Sequence, residues 1–159
     1  MNYKRGFTLI ELLVVVGIIA VMASLTLGYL SSARKKGNDT AVKSNTQTVR
    51  ALSEIFYLDN SASYLPAGGS NFAPATCPSY NAAGTNMFAI NSKISAALTE
   101  AVARGNGSSS CANSSSAWAI AIGLNLDATK SWCIDNSGRA TVVSFIPSAA
   151  INSSTYLCN

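Results

Sequence analysis

Between Phe7 and Leu30 the chain holds an almost unbroken apolar run, and one carboxylate, Glu11, sits inside it. As a helix, with about 1.5 Å of rise per residue, the run spans roughly 36 Å, enough to cross a bilayer with some tilt. Charge inside such a segment is costly and calls for a partner. Any account of the chain has to say what Glu11 is for.

Three readings fit the N-terminal segment. A removable secretory signal explains the basic Lys4-Arg5 followed by an apolar core, but the run is longer than a usual signal core. Cleavage would then fall near Ala23–Ser24 or Ser31–Ala33. A plain transmembrane anchor explains the length and leaves Glu11 without a use. The third reading takes Lys4-Arg5-Gly6 as the end of a short leader, residues 1–6, cut after Gly6. The cut creates an α-amino group on Phe7, one helical turn from Glu11. That ammonium can come from the same chain. It can also come from the adjacent copy in an assembly, where the pair would set axial register.

The residues Gly6-Phe7-Thr8-Leu9-Ile10-Glu11-Leu12-Leu13, followed by Val14-Val15-Val16-Gly17-Ile18-Ile19-Ala20, resemble the N-terminal motif of type IV prepilins and type II secretion pseudopilins. The resemblance implies that a prepilin peptidase cuts between Gly6 and Phe7 and N-methylates Phe7. It gives Glu11 the family's role in methylation and subunit registration. It divides the chain into a leader (1–6), a transmembrane and assembly helix (7–30) and a globular domain (31–159) that includes the amphipathic half of a long helix. Many pilins carry a proline later in this helix. Here Gly28 is the nearest breaker, so any melting of the helix in a filament is expected to be weaker, or displaced toward Gly17 or Gly28.

Composition narrows the function. There is no histidine, which removes the commonest general base and metal ligand. No HExxH, Walker A, GxSxG or GxGxxG pattern occurs, so an enzyme is not expected, and neither is a cofactor. The formal net charge is +4; without Lys4 and Arg5, nine basic residues face seven acidic ones, a net +2. That is too little to argue for nucleic acid. Lys93, Arg104, Lys130 and Arg139 are the residues that would form a modest basic surface if one exists.

After the apolar run, Arg34-Lys35-Lys36 forms a basic collar. With Lys4-Arg5 on the other side, it leaves the positive-inside rule divided. The resemblance and the oxidisable cysteines favour an N-terminus inside and a globular part outside. Residues 38–59 read as an amphipathic helix with Val42, Val49, Leu52 and Phe56 on one stripe. Asn38 or Asp39 is placed to cap a restart after Gly37, where the long helix would bend. The Pro- and Gly-rich stretch 60–85 reads as a loop. Residues 86–104 read as a helix, with Phe88, Ile94, Leu98 and Val102 on one face and Gly105 as its stop. Residues 105–116 read as a polar loop.

From Trp118 to Leu126 the period becomes two, which predicts a half-buried strand. Ser131–Asp135 is a second strand, Asn136-Ser137-Gly138 a hairpin turn, and Arg139–Ile146 a third strand ended by Pro147. The tail, 148–159, reads as irregular. A long helix packed on a small antiparallel sheet is an α+β architecture and matches the type IV pilin-like fold. The run Lys130–Gly138 also resembles a sheet segment of some pilin-like proteins.

Cys77, Cys111, Cys133 and Cys158 contain no CxxC pair, so zinc is not expected and no metal site is assigned. An even count behind an export-type segment suggests disulfides. Three pairings are open. Cys77 with Cys111 would staple the two loops flanking the 86–104 helix. Cys133 with Cys158 would fasten the tail, and pilins often close their C-terminal region this way. Calcium, which major secretion pseudopilins bind in a C-terminal loop, needs carboxylates. Asp127 and Asp135 are the only late candidates and read better as turn residues. This tilts the reading toward a pilin.

The expected function is therefore structural: a filament subunit that waits as a single-pass protein in the inner membrane and is then polymerised by an assembly platform. A secretion pseudopilin and a minor DNA-uptake pilin are the alternatives.

Overall fold

The computed structural model describes residues 6–159, so residues 1–5 of the proposed leader, Lys4 and Arg5 among them, lie outside the described residues. Two compact units are present, divided between Lys35 and Lys36. The first helix, α1 (Leu9–Asp59), supplies the regular structure among the described residues of the N-terminal unit and the opening element of the second.

No proline occurs before Pro66, and α1 continues through Gly17, Gly28 and Gly37. The interruption and restart expected at Gly37 do not occur, since Gly37 lies inside α1. Hydroxyls able to compete with the helix instead return to it: Ser24 donates to the Val21 carbonyl at 2.8 Å, Thr26 to Ala23 at 3.0 Å and Thr40 to Lys36 at 2.9 Å. Asp39, expected as a cap, is buried and turned to a different task. Its Oδ1 accepts the Asn125 backbone N–H at 2.7 Å, and its Oδ2 accepts that of Leu126 at 3.2 Å. A helix-borne carboxylate thus satisfies two loop donors that the sheet leaves unpaired.

The second unit is built around a five-stranded antiparallel sheet with strands in chain order: β1 (Phe72–Ala75), β2 (Ser109–Asn113), β3 (Trp118–Gly123), β4 (Ser131–Asp135) and β5 (Ala140–Val143). β1 corrects part of the 60–85 loop, and β2 corrects part of the 105–116 loop. Neither FAPA nor SSCAN has strong strand propensity. Pairing makes them strands: β2 lies between β1 and β3, in a register where Cys111 faces Ile120 and Asn113 faces Trp118. The expected 86–104 helix divides into α2 (Met87–Ile90) and α3 (Ser92–Arg104). Asn91 separates them, and its side chain caps α3 through the N–H groups of Lys93 and Ile94, both at 3.1 Å. The hairpin turn forms as expected, with Gly138 at φ 96°.

β3 is buried along its whole length rather than on one face. One face carries Trp118, Ile120 and Ile122 into a core with Val42 and Val49 of α1, Phe88 of α2, Ile94 and Leu98 of α3, and Ile134. The other carries Ala119 and Ala121 against the tail residues Ala150, Ile151 and Cys158. The tail is therefore a third layer. A turn of 3-10 helix at Pro147–Ala149 and a bridge between Ile151 and Cys158 hold its path.

Polar anchors fix α1 over this sheet. The Trp132 indole N–H donates to Thr46 Oγ1 at 3.0 Å. Lys43 Nζ lies 4.9 Å from the Trp132 ring centroid, a cation–π contact. Arg50 donates to the carbonyls of Asp135, at 3.1 Å, and of Arg139. Near the end of α1, the Tyr64 hydroxyl donates to Glu54 at 2.9 Å. Burial first, and then Glu54, push the Tyr64 phenol up to about 12.

Candidate processing and assembly site

Gly6, Phe7 and Thr8 carry no regular secondary structure and are exposed, Phe7 at 76 %. A Cβ placed on Gly6 would meet nothing within 4 Å. The Gly6–Phe7 peptide bond is thus accessible, ahead of the first helical residue. Thr8 is the N-cap of α1. Its Oγ1 accepts the Glu11 N–H at 3.3 Å, while Glu11 Oε2 accepts the Thr8 N–H at 2.9 Å and the Thr8 hydroxyl at 2.8 Å. This is a reciprocal capping box of the Thr-x-x-Glu type. The pattern is legible in Thr8-Leu9-Ile10-Glu11 as a Thr-x-x-Glu signature, a local partner for Glu11 that an account in terms of charge alone does not contain. In the uncut chain, then, Glu11 has a local partner, and it lies one turn from the atom that cleavage would convert to an amine.

Below this cap, the described large apolar side chains from Leu9 to Leu30 are exposed. The stretch is long and apolar enough to cross a membrane. A helix that is apolar all round, with no protein against it, requires lipid or other helices.

The family model for the prokaryotic N-terminal methylation motif matches residues 1–27, which include Gly6 and Phe7, the capping box and most of the apolar run. The N-terminal segment is a prepilin motif. The chain carrying it is similar to the type IV wide pilus major component PilA4 of Thermus thermophilus, 40% identical over 62 residues, covering 39% of this chain and 47% of that protein. It is also similar to the type II secretion system core protein G of Klebsiella pneumoniae, 36% identical over 61 residues, covering 38% of this chain and 44% of that protein. A third relative is the prepilin peptidase-dependent protein D of Escherichia coli, 33% identical over 75 residues, covering 47% and 51%. The chain spans about half the length of the relatives it matches. No solved structure matches at comparable significance. Pilins and pseudopilins are structural subunits rather than enzymes, and the α+β arrangement behind the prepilin motif is consistent with the pilin fold.

Away from the motif, the four cysteines form two disulfides, Cys77–Cys111 and Cys133–Cys158, closing sequence separations of 34 and 25. The first ties the segment after β1 to β2. The second ties β4 to the end of the tail, and its surroundings reinforce it: Asp135 Oδ2 accepts the Cys158 N–H at 3.0 Å, and Arg139 donates to the Cys158 carbonyl at 2.6 Å.

Asp127 and Asp135 both serve turns. Asp127 accepts the Thr129 hydroxyl at 2.6 Å and pairs with Lys130 at 3.0 Å, and these contacts, the Thr129 hydroxyl first, hold its carboxyl down to about 2. Asp135 accepts the Ser137 hydroxyl at 2.6 Å. Of the four cations considered for nucleic acid, three have local partners: Arg104 pairs with Glu100 at 2.7 Å, Lys130 with Asp127, and Arg139 with Cys158.

Proposed function

We propose that this protein is a structural subunit of a type IV pilus-like filament, processed at Gly6–Phe7, methylated on Phe7 and polymerised through α1. The observation that carries the reading is the bare apolar helix of residues 9–30, capped by Thr8 and Glu11 beside an accessible scissile bond. Before assembly this segment is a single span of the inner membrane, with its N-terminus inside. Afterwards it lies in the core of a filament outside that membrane.

Moving the helix from lipid to a protein bundle brings no hydrophobic gain of the kind available in water, so packing and polar pairing have to give direction and register. Cleavage frees an ammonium on Phe7. Glu11 exchanges its capping contacts for that ammonium on the adjacent copy, and only one axial offset brings the two charges together. Repeated heterologous contact with a non-closing rotation yields an open fibre. A prepilin peptidase and an inner-membrane assembly platform are the partners this route requires.

Glu11→Ala tests the reading. It should leave the globular unit folded and the chain membrane-inserted while lowering filament yield at least tenfold. Normal filaments from that variant would refute the registration role.

The likeness to a type II secretion core protein favours a second reading, a pseudopilin in a short periplasmic fibre. Asp127 and Asp135 are occupied by protein donors, which supports the pilus over a calcium-loaded pseudopilin. Extended surface fibres containing this chain support the pilus; a secretion defect on its deletion supports the pseudopilin. A DNA-uptake role has weaker support, since three of its four candidate cations are already engaged.

A further inference from the structure

Two surfaces of the globular unit complement one another and lie at opposite ends of its stretch of α1. The first is a groove of about 400 Å³, lined by Lys36 and Lys43 of α1, Lys130, Leu126 and Val142. Leu126 and Val142 are 53% and 41% exposed. The two acids at the groove are already committed: Asp39 to the Asn125 and Leu126 amides, Asp127 to Lys130 and Thr129. Among the described residues the ion pairs are Arg104–Glu100 and Lys130–Asp127, so Lys36 has no ion-pair partner; three lysines against the two carboxylates leave the groove one positive charge in excess over an apolar floor.

The second surface is the outward face of the last two turns of α1. Ile55 and Leu58 are 54% and 77% exposed there, flanked by the exposed acids Asp59 and Glu54, of which Glu54 is held by the Tyr64 hydroxyl and Asp59 is not. No lysine or arginine occurs between Arg50 and Lys93, and neither acid has an ion-pair partner among the described residues. Lys36 and Leu58 are 22 positions apart on α1, roughly 33 Å along a helix. The knob of one chain therefore cannot reach its own groove.

We propose that the Ile55–Leu58–Asp59 knob of one copy docks into the Lys36–Lys43–Leu126–Val142 groove of another. The apolar pairs exclude water, and Asp59 meets Lys36 at the rim, where opposite charge selects the register and the encounter. The two patches differ, so the contact is heterologous and propagates as a fibre rather than closing into a dimer. The contact rests on the filament reading and adds to it a second interface, outside the membrane segment.

Photo-crosslinking in assembled filaments tests this. Benzoyl-phenylalanine in place of Leu58 should give a covalent dimer on illumination, with the attached peptide containing residues 124–130 or Val142. Asp59→Lys and Lys36→Asp should each lower filament yield about tenfold, and the double reversal should recover most of it. Crosslinks confined to other peptides, or to phospholipid when the probe replaces Leu126, would overturn the proposal, as would additive losses in the double reversal. If the unsubstituted chain makes no filaments, the filament reading itself is contradicted. Filaments whose position-58 crosslinks fall elsewhere contradict only the groove.

Discussion

Residues 9–30 and residues 39–56 belong to one helix, and only the second stretch buries side chains, polar as well as apolar. In the first stretch, leucines, isoleucines and valines lie exposed along with the capped Glu11; in the second, Asp39, Thr46 and Ser53 are buried beside Val42 and Val49. Burial here follows the partner on offer rather than the hydropathy of the residue. The sheet gives Asp39 two loop amides and gives Thr46 an indole N–H. Among the described residues the first stretch has no comparable partner, a place that lipid and neighbouring copies would fill.

The contrast can be broken from the globular side without touching the membrane side. Trp118 is the largest fully buried side chain. Trp118→Ala should destabilise the second unit by about 3–5 kcal/mol through lost transfer energy and the cavity left behind. Urea unfolding of the full-length chain in detergent, followed by Trp132 fluorescence, reads this, and membrane insertion of residues 9–30 should be unchanged.

Replacing Cys133 and Cys158 together by serine should cost about 3.5 kcal/mol on the chain-entropy model for a loop of this length. It should also expose the tail to protease first, because Ala150 and Ile151 cover β3 only while the tail is held. Asp39→Ala should cost about 1–3 kcal/mol by stranding the amides of Asn125 and Leu126. A loss below about 0.5 kcal/mol in urea midpoints would mean that water replaces the carboxylate freely.

The smallest effect is one of pH. Because the Tyr64 phenol is raised from 10.0 to about 12, the folded state holds its proton more tightly than the unfolded one. Stability from this group is fully present below pH 10 and falls as pH rises from 10 to 12. Tyr64→Phe should remove that part of the alkaline slope.

Much of this was legible in the residues. Long-range periodicity marks α1, α3 and β3 to β5, and the prepilin motif is local and dense. Strands β1 and β2 were not legible, because Phe72-Ala-Pro-Ala75 and Ser109-Ser-Cys-Ala-Asn113 become strands through pairing and the Cys77–Cys111 tie rather than by propensity. The second buried face of β3 was missed for a related reason: the tail covering it is small-residued and irregular, so no pattern announces a layer. Asp39 looked like a cap because its partners, Asn125 and Leu126, are some 86 residues away in sequence. The Thr8–Glu11 box is the opposite case, a wholly local signal whose two partners stand three residues apart.

The central claim is that a cut after Gly6 places an amine one turn from Glu11 in an otherwise apolar helix. Intact-mass and N-terminal peptide analysis of the native protein tests it directly. The account requires a chain that begins at N-methylated Phe7. A native protein that retains Met1, or that begins near Ser31, would contradict it.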